Sequence, residues 1–173
     1  MKLIDAIRHE FADLERPLPD KIAARDENPL CLEALAVEKF FANYCWQDIR
    51  WETLEAYRGD RTACLYFMSP EAFLYFFPAY MIMTLLDIKA DTGLLDQIVS
   101  LTYGRETDSR FFKLMQKSYD LRKKKCVGYF LMQVNERFVR SFGGDLDEPI
   151  VLQADELYPE ESAFKYWLNA EFG

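Results

Sequence analysis

The feature that most constrains the fold is residues 72–86, a 15-residue stretch in which Thr84 is the one polar residue. The residues before it mark a helix start, because Ser69 suits the N-cap, Pro70 suits the first helical position, and Glu71 places an anion in the first turn. This pattern predicts a helix from Ser69 to about Lys89. A helix that is apolar on every side is usually buried, so the rest of the chain is expected to pack around it.

The same stretch is too short to cross a bilayer, which takes about 20 apolar residues. It also contains Pro78, which has no amide hydrogen to donate to the carbonyl four residues earlier. We therefore predict no transmembrane segment, and we expect a buried central helix that kinks at Pro78 or breaks there into two pieces.

Apolar spacings of three and four predict further helices along the chain. They cover residues 2–14, about 30–44, about 92–103, about 107–124, 127–142 and 159–172. Residues 20–29 are predicted to form a loop or arm, and residues 149–153 one short strand. In residues 46–61, Trp46, Ile49 and Leu54 are expected to cap the core. A length of 173 residues fits one domain. The sequence thus predicts an all-α, single-domain bundle over residues 1–173, with six or seven helices around the central one and at most one short strand pair.

Acidic residues are concentrated in one part of the chain, Ser141–Phe164, which we name the acidic segment. It contains no Lys or Arg, and its residues 141–158 form the connection before the C-terminal helix. Its seven acids are Asp145, Asp147, Glu148, Asp155, Glu156, Glu160 and Glu161. The net charge of the whole chain is −8, so the remaining residues are almost neutral. A localised acidic surface attracts a basic partner and speeds its encounter, so these seven residues are the predicted partner-binding residues.

A basic region precedes the acidic segment. Residues 105–140 hold ten Lys or Arg residues and four acids, including the run Arg122–Lys125. Four adjacent helical positions point in different directions, so the run forms no single face. The alternative to partner binding is that the acidic segment packs beside this run in the same molecule, or is simply solvated. The acidic balance of the whole chain excludes a general nucleic-acid binder held by phosphate neutralisation.

Motifs for catalysis and cofactors are missing from the sequence. There is no Gly-rich phosphate loop and no GxSxG elbow, and the single histidine, His9, is expected on the surface of the first helix. The four cysteines form no CxxC pair and are interpreted as reduced core thiols. Charged residues in the first ten positions interrupt any signal peptide, which favours the cytoplasm. We therefore predict no catalytic residue, metal or cofactor.

The central helix also carries the motif S-P-E-A-F-x-Y-F-x-P-A-Y, residues 69–80, after a Trp-centred turn at Trp46, Asp48 and Ile49. On these residues the chain resembles an uncharacterised family of small bacterial helical proteins. The resemblance implies a helical fold and carries no activity.

The function predicted from the sequence is a non-catalytic protein-interaction module. The leading form is a bacterial immunity protein or antitoxin that neutralises a basic toxin or effector, with no nucleic acid and no membrane as partner. The alternative is a small enzyme or ligand sensor with a pocket near Tyr75 and Tyr80, since six aromatic residues lie between Phe67 and Tyr80. A buried core is the simpler explanation of that aromatic density.

Overall fold

The computed structural model describes residues 2–24, 31–61, 64–86, 98, 101, 102, 110–141 and 167. These residues are mainly helical, and the described part of the chain contains no strand or sheet. The helices are α1 (Leu3–Glu10), α2 (Leu32–Phe41), α3 (Trp51–Glu55), α4 (Pro70–Leu86), α5 (Arg110–Ser118) and α6 (Leu121–Ser141). Short 3-10 turns lie at Pro19–Lys21, Trp46–Asp48 and Cys64–Phe67. The predicted all-α fold class is confirmed.

The start of α4 follows from the local sequence. The hydroxyl of Ser69 accepts a hydrogen bond from the amide of Ala72 at 3.1 Å, which caps the helix where the sequence predicts it. Residues 72–85 are buried except for Leu74, which is half-buried, so the all-round apolar pattern does mark a buried helix. The helix continues without interruption through Pro78, so the proline does not split it. Residues 87–89, the predicted end, lie outside the described part.

The chain divides into two compact units, residues 11–83 and residues 1–10 with 84–173. The prediction of one domain for residues 1–173 stays a prediction.

The unit of residues 11–83 has an aromatic core. The rings of Phe41 and Phe76 meet edge to face at 5.0 Å, and those of Phe73 and Phe77 stack at 5.2 Å. Trp46, Ile49 and Leu54 are buried, as predicted. Residues 20–24 of the predicted loop or arm contain the end of a 3-10 turn and an isolated antiparallel bridge between Ala23 and Met68, and Ile22 and Ala23 are buried. The remainder of that loop, residues 25–29, lies outside the described residues.

In the other unit, α1 packs against α6. The predicted first helix is too long, because α1 ends at Glu10 and residues 11–13 form a turn. The predicted helix 107–124 is also wrong, since α5 ends at Ser118 and α6 begins at Leu121. The physical reason is Asp120, whose carboxylate accepts a hydrogen bond from the amide of Lys123 at 2.9 Å and so caps a new helix. From there α6 runs through Gly128 to Ser141 as one helix.

Three sequence predictions fall wholly or largely outside the described residues. Of the predicted helix 92–103, only Ile98, Leu101 and Thr102 are described, and they are helical. Of the predicted C-terminal helix 159–172, only Trp167 is described, and it is helical and buried. The predicted strand at 149–153 lies entirely outside the described part.

Candidate functional site

The seven predicted partner-binding residues lie outside the described part of the chain. They are Asp145, Asp147, Glu148, Asp155, Glu156, Glu160 and Glu161. The structure does fix both flanks of the acidic segment, because α6 ends at Ser141 and the side chain of Trp167 is buried. The indole Nε1 of Trp167 donates a hydrogen bond to the carbonyl of Thr102 at 2.9 Å, and its ring meets that of Phe112 at 5.5 Å. Phe112 is on α5, so the chain returns to α5 after the acidic segment.

The side chains of the basic run, Arg122–Lys125, differ in burial around α6. Arg122 is exposed, while Lys123 is buried and holds the carboxylate of Asp120 at 3.1 Å. Lys125 is half-buried. The run forms no single face, as the 100° step of a helix predicts.

The carboxyl group of Asp120 has a lowered pKa, which favours its ionised form. Its slight burial opposes the charge, but hydrogen bonds from the backbone and side chain of Lys123 and the lysine's positive charge hold the pKa of Asp120 below its usual value. The carboxylate is therefore engaged in capping and pairing within α6.

Tyr80, one of the two tyrosines of the alternative prediction, is fully buried beside a thiol. The hydroxyl groups of Tyr80 and Tyr57 both interact with the thiol of Cys64. That thiol donates a hydrogen bond to the carbonyl of Asp60 at 3.4 Å. Gly59 leaves room for this arrangement, because a Cβ there would lie 2.7 Å from the Tyr57 ring. These contacts join α4 to the segment after α3.

Burial raises the pKa values of all three groups in this cluster. The pKa of the Cys64 thiol rises to about 12, mainly through desolvation, and the pKa of Tyr57 rises to about 12 for the same reason. The pKa of Tyr80 rises well above its ordinary value. A thiol of this kind stays protonated at neutral pH, and the protonated thiol is a poor nucleophile and a poor metal ligand.

Tyr75, the other tyrosine of the alternative, lies beside a second cysteine. It is buried, and its hydroxyl interacts with the thiol of Cys45 and with the backbone of Trp46. Arg16 joins the group, with its guanidinium 3.9 Å from the Cys45 sulfur and 2.6 Å from the carbonyl of Ala42. Desolvation, reinforced by Cys45, raises the pKa of Tyr75 to about 12. The guanidinium thus supplies a hydrogen-bond partner at the carboxyl end of α2.

The other predicted positions carry little chemistry. His9 is exposed on α1, as predicted. All four cysteines are free: Cys31 and Cys45 are half-buried, while Cys64 and Cys126 are buried. Burial, together with Glu10 and Asp120, raises the pKa of Cys126 to about 11. Within the described ranges, no three His, Cys, Asp or Glu side chains are arranged to hold a metal ion.

Sequence reasoning missed Tyr57 and Arg16 in these clusters and Asp120 as a helix cap. Tyr57 and Arg16 reach their partners through tertiary packing, which leaves no spacing signal in the sequence. Asp120 does leave one, because an Asp directly before a helical stretch is a typical N-cap.

Comparison with known proteins adds a partial relative. The small ribosomal subunit protein bS6 of Mesomycoplasma hyopneumoniae, in strains 7448, J and 232, is 35% identical over 71 residues. The match covers 36% of this chain, and the chain spans 30% of the length of these relatives. No family model matches the chain, and no solved structure matches it. The resemblance to the uncharacterised bacterial family stays a prediction.

Among the described residues, no helix combines the length and the apolar character needed to span a membrane.

Proposed function

We propose that the chain is a non-catalytic protein-interaction module of a bacterial cytoplasm, most simply an immunity protein or antitoxin. Its partner is a basic protein, such as a toxin or effector, and its binding element is the acidic segment. The observation that carries this proposal is the concentration of seven acids and no base within 24 residues of a chain whose net charge is −8.

Electrostatics explains why such a concentration suits this role. Charges gathered on one segment produce a field that steers an oppositely charged protein toward it and speeds association. An inhibitor must capture its target before the target acts, so a fast encounter is useful to it. The same charges scattered over the surface would give a weaker and less directed field.

The core chemistry supports a binding role over a catalytic one. Nucleophilic and acid-base catalysis require groups with pKa values near neutrality and access to a substrate. In the clusters at Tyr80 and Tyr75, burial moves the pKa values of Cys64, Tyr57 and Tyr75 to about 12, away from that range. These groups are suited to packing in the core.

The test is co-purification of the tagged chain with the product of the adjacent gene. We expect a complex that elutes as one peak at about 0.05 M salt and weakens at about 0.5 M, because the Debye length shortens several-fold over that range. The decisive variant is the triple charge reversal Asp145→Lys, Asp147→Lys and Glu148→Lys, which should abolish the complex.

A matched control separates the local effect from the change in net charge. Glu15, Glu52 and Glu55 are exposed in the unit of residues 11–83, and their triple reversal to Lys changes the net charge equally. The control should retain the complex. If both triple variants bind as the native chain does, or if the chain sediments with small ribosomal subunits in place of a basic protein, the proposal is wrong.

The alternative function, a ligand sensor or small enzyme, has one observation in its favour. Polar groups lie beside both predicted tyrosines: Cys64 and Tyr57 lie near Tyr80, and Cys45 and the exposed Arg16 lie near Tyr75. A metabolite that raises the melting temperature of the native chain, but not of a Tyr75→Phe variant, would favour this alternative.

A further inference from the structure

We infer that Cys45 is an oxidation site for hydrogen peroxide, with Arg16 and Tyr75 assisting the formation of a sulfenic acid on its sulfur. These three residues lie in the unit of residues 11–83, and we name them the Cys45 cluster. The inference concerns a modification of the chain itself, and it requires neither the acidic segment nor a partner protein.

Two hydrogen-bond donors lie beside the sulfur of Cys45. The guanidinium Nη1 of Arg16 donates to it at 3.9 Å, and the hydroxyl of Tyr75 interacts with it. Burial, reinforced by Cys45, raises the pKa of Tyr75 to about 12, so the hydroxyl keeps its hydrogen at neutral pH. The sulfur therefore has one positively charged donor and one neutral donor within reach.

The guanidinium of Arg16 is held in this position. Its Nη2 donates to the carbonyl of Ala42 at 2.6 Å, which fixes it at the carboxyl end of α2. Among the residues that the structure describes, no carboxylate pairs with Arg16. Arg16 is exposed and Cys45 is half-buried, so a small molecule in solution can reach the sulfur. A partly exposed thiol beside a positive charge is the environment in which reactive cysteines are found.

The chemistry is a two-electron oxidation of the sulfur. The thiol first gives its proton to solvent, and the sulfur attacks one oxygen of hydrogen peroxide. An S–O bond forms, the O–O bond breaks, and hydroxide leaves and takes up a proton to become water. Negative charge thus moves from the sulfur to the departing oxygen, and the donors of Arg16 and Tyr75 are placed to stabilise that charge.

Cys31 offers the contrasting environment in the same unit. It is also half-buried, but its thiol donates a hydrogen bond to the carboxylate of Glu33 at 3.4 Å. A negative charge at that place repels the charge that develops on the departing oxygen. The other two thiols, Cys64 and Cys126, are buried and have pKa values raised to about 12 and 11. The charge beside the sulfur therefore distinguishes Cys45 from Cys31, and burial distinguishes it from the other two.

The position of the Cys45 cluster gives the oxidation a structural consequence. Arg16 also binds the carbonyl of Ala42 at the end of α2, and Tyr75 belongs to the buried helix α4. An oxygen added to the sulfur changes the group that both donors contact. The oxidation state of Cys45 is thereby coupled to contacts of α2 and α4.

The experiment treats the full chain with a small excess of hydrogen peroxide at neutral pH. Sulfenic acids are trapped with dimedone, and the labelling rate of each cysteine is measured by mass spectrometry. We expect Cys45 to be labelled roughly ten-fold faster than Cys31, and Cys64 and Cys126 to stay unlabelled while the chain is folded.

Variants of the two donors test the assignment. Arg16→Gln should slow the labelling of Cys45 roughly ten-fold, since it removes a donor to the developing charge, and Arg16→Lys should keep more of the rate. Tyr75→Phe should slow the labelling roughly three-fold, because the donor it removes is neutral. The matched control Arg58→Gln removes the same charge from another exposed position of the unit and should leave the rate unchanged. Continued protection of Cys64 shows that each variant is folded.

A reciprocal variant tests the role of the neighbouring charge at the other half-buried cysteine. Glu33→Gln removes the carboxylate beside Cys31. The labelling of Cys31 should become faster, and the labelling of Cys45 should stay the same.

Equal labelling rates at Cys45 and Cys31 in the native chain would overturn the inference. A folded Arg16→Gln variant that is oxidised at the native rate, or a control variant that slows as much, would also overturn it. If Arg16→Gln unfolds and exposes Cys64, the native comparison and the Tyr75→Phe variant decide. The outcome does not depend on partner binding, so failure of this inference and failure of the proposed function are distinguishable.

Discussion

Ser69 offers a sharp test of how the central helix is fixed in place. Its hydroxyl accepts a hydrogen bond from the amide of Ala72 at 3.1 Å and donates one to the carbonyl of Lys21 at 2.6 Å. One side chain thus caps α4 and holds a segment 48 residues earlier in the chain. We expect Ser69→Ala to remove both interactions.

The expected cost is the sum of two known effects. Loss of a serine N-cap costs about 1 kcal/mol. Leaving the carbonyl of Lys21 without this partner next to the buried Ser69 adds about 1 kcal/mol. The free energy of unfolding should therefore fall by about 2 kcal/mol, which for a chain of this size lowers the melting temperature by about 4–8 °C.

The assay is urea unfolding followed by tryptophan fluorescence, with two companion variants. Ser69→Thr keeps a hydroxyl that can cap and donate, so its loss should stay under about 0.5 kcal/mol. Ser69→Asp keeps the cap but has no hydrogen to donate to Lys21, so it should lose about 1 kcal/mol. If Ser69→Ala is as stable as the native chain, the cap and the long-range bond do not hold the helix as we argue.

Three further experiments test the helix cap at Asp120, the buried thiols and the close approach at Gly59. Asp120→Ala should cost about 1 kcal/mol by removing the cap of α6. The folded-state pKa of Asp120 is lowered, so its contribution to stability is present above about pH 4 and is lost as the pH falls below that value. The free energies of unfolding of the variant and the native chain should therefore converge in acid. A difference that stays constant with pH would contradict this reasoning. The buried thiols of Cys64 and Cys126 have pKa values of about 12 and 11, so they should resist a thiol reagent at pH 8 until the chain unfolds. Cys31 and Cys45, which are half-buried, should react first. Equal reaction rates at all four thiols would contradict this expectation. Gly59→Ala should cost about 1–2 kcal/mol in urea unfolding, because the new methyl group meets the Tyr57 ring, and an unchanged midpoint would show that the ring is free to move.

The helix start at Ser69 could be predicted because its signals are local. An N-cap hydroxyl, a proline at the first position and an acid in the first turn act within three residues of one another. The burial of α4 was predictable for a similar reason, since a helix that is apolar on every side has no face to present to water. Both conclusions depend on adjacent residues and on no knowledge of the rest of the fold.

The division between α5 and α6 shows where apolar spacing fails. Phe111, Met115 and Tyr119 are buried at intervals of four, which is the pattern of one continuous helix. The chain nevertheless leaves the helix at Tyr119, because the carboxylate of Asp120 competes for the free amide of Lys123 and starts α6. Spacing indicates which residues face the core, and it does not indicate where one helix ends and the next begins.

The contacts at Ile22 and Arg16 were beyond sequence reasoning for a different reason. Ile22 accepts a hydrogen bond from the amide of Ser69, and Arg16 reaches the carbonyl of Ala42. Each contact joins residues more than 20 positions apart, so its formation depends on how the elements pack. A segment rich in prolines and charges predicts a loop, and only packing decides that Ile22 within it is buried.

The charge-reversal test is informative because exposed charges contribute less to stability than buried interactions do. The interactions that stabilise each described unit lie among buried rings, thiols and caps, where single changes cost about 1–5 kcal/mol. Exposed charges on α5, on α6 and in the unit of residues 11–83 usually contribute less than about 1 kcal/mol to stability. Reversing two or three of them therefore leaves the fold intact and changes mainly the electrostatic field. A loss of binding in such a variant then reports on recognition, because a fold held by its aromatic core does not depend on the charges that were reversed.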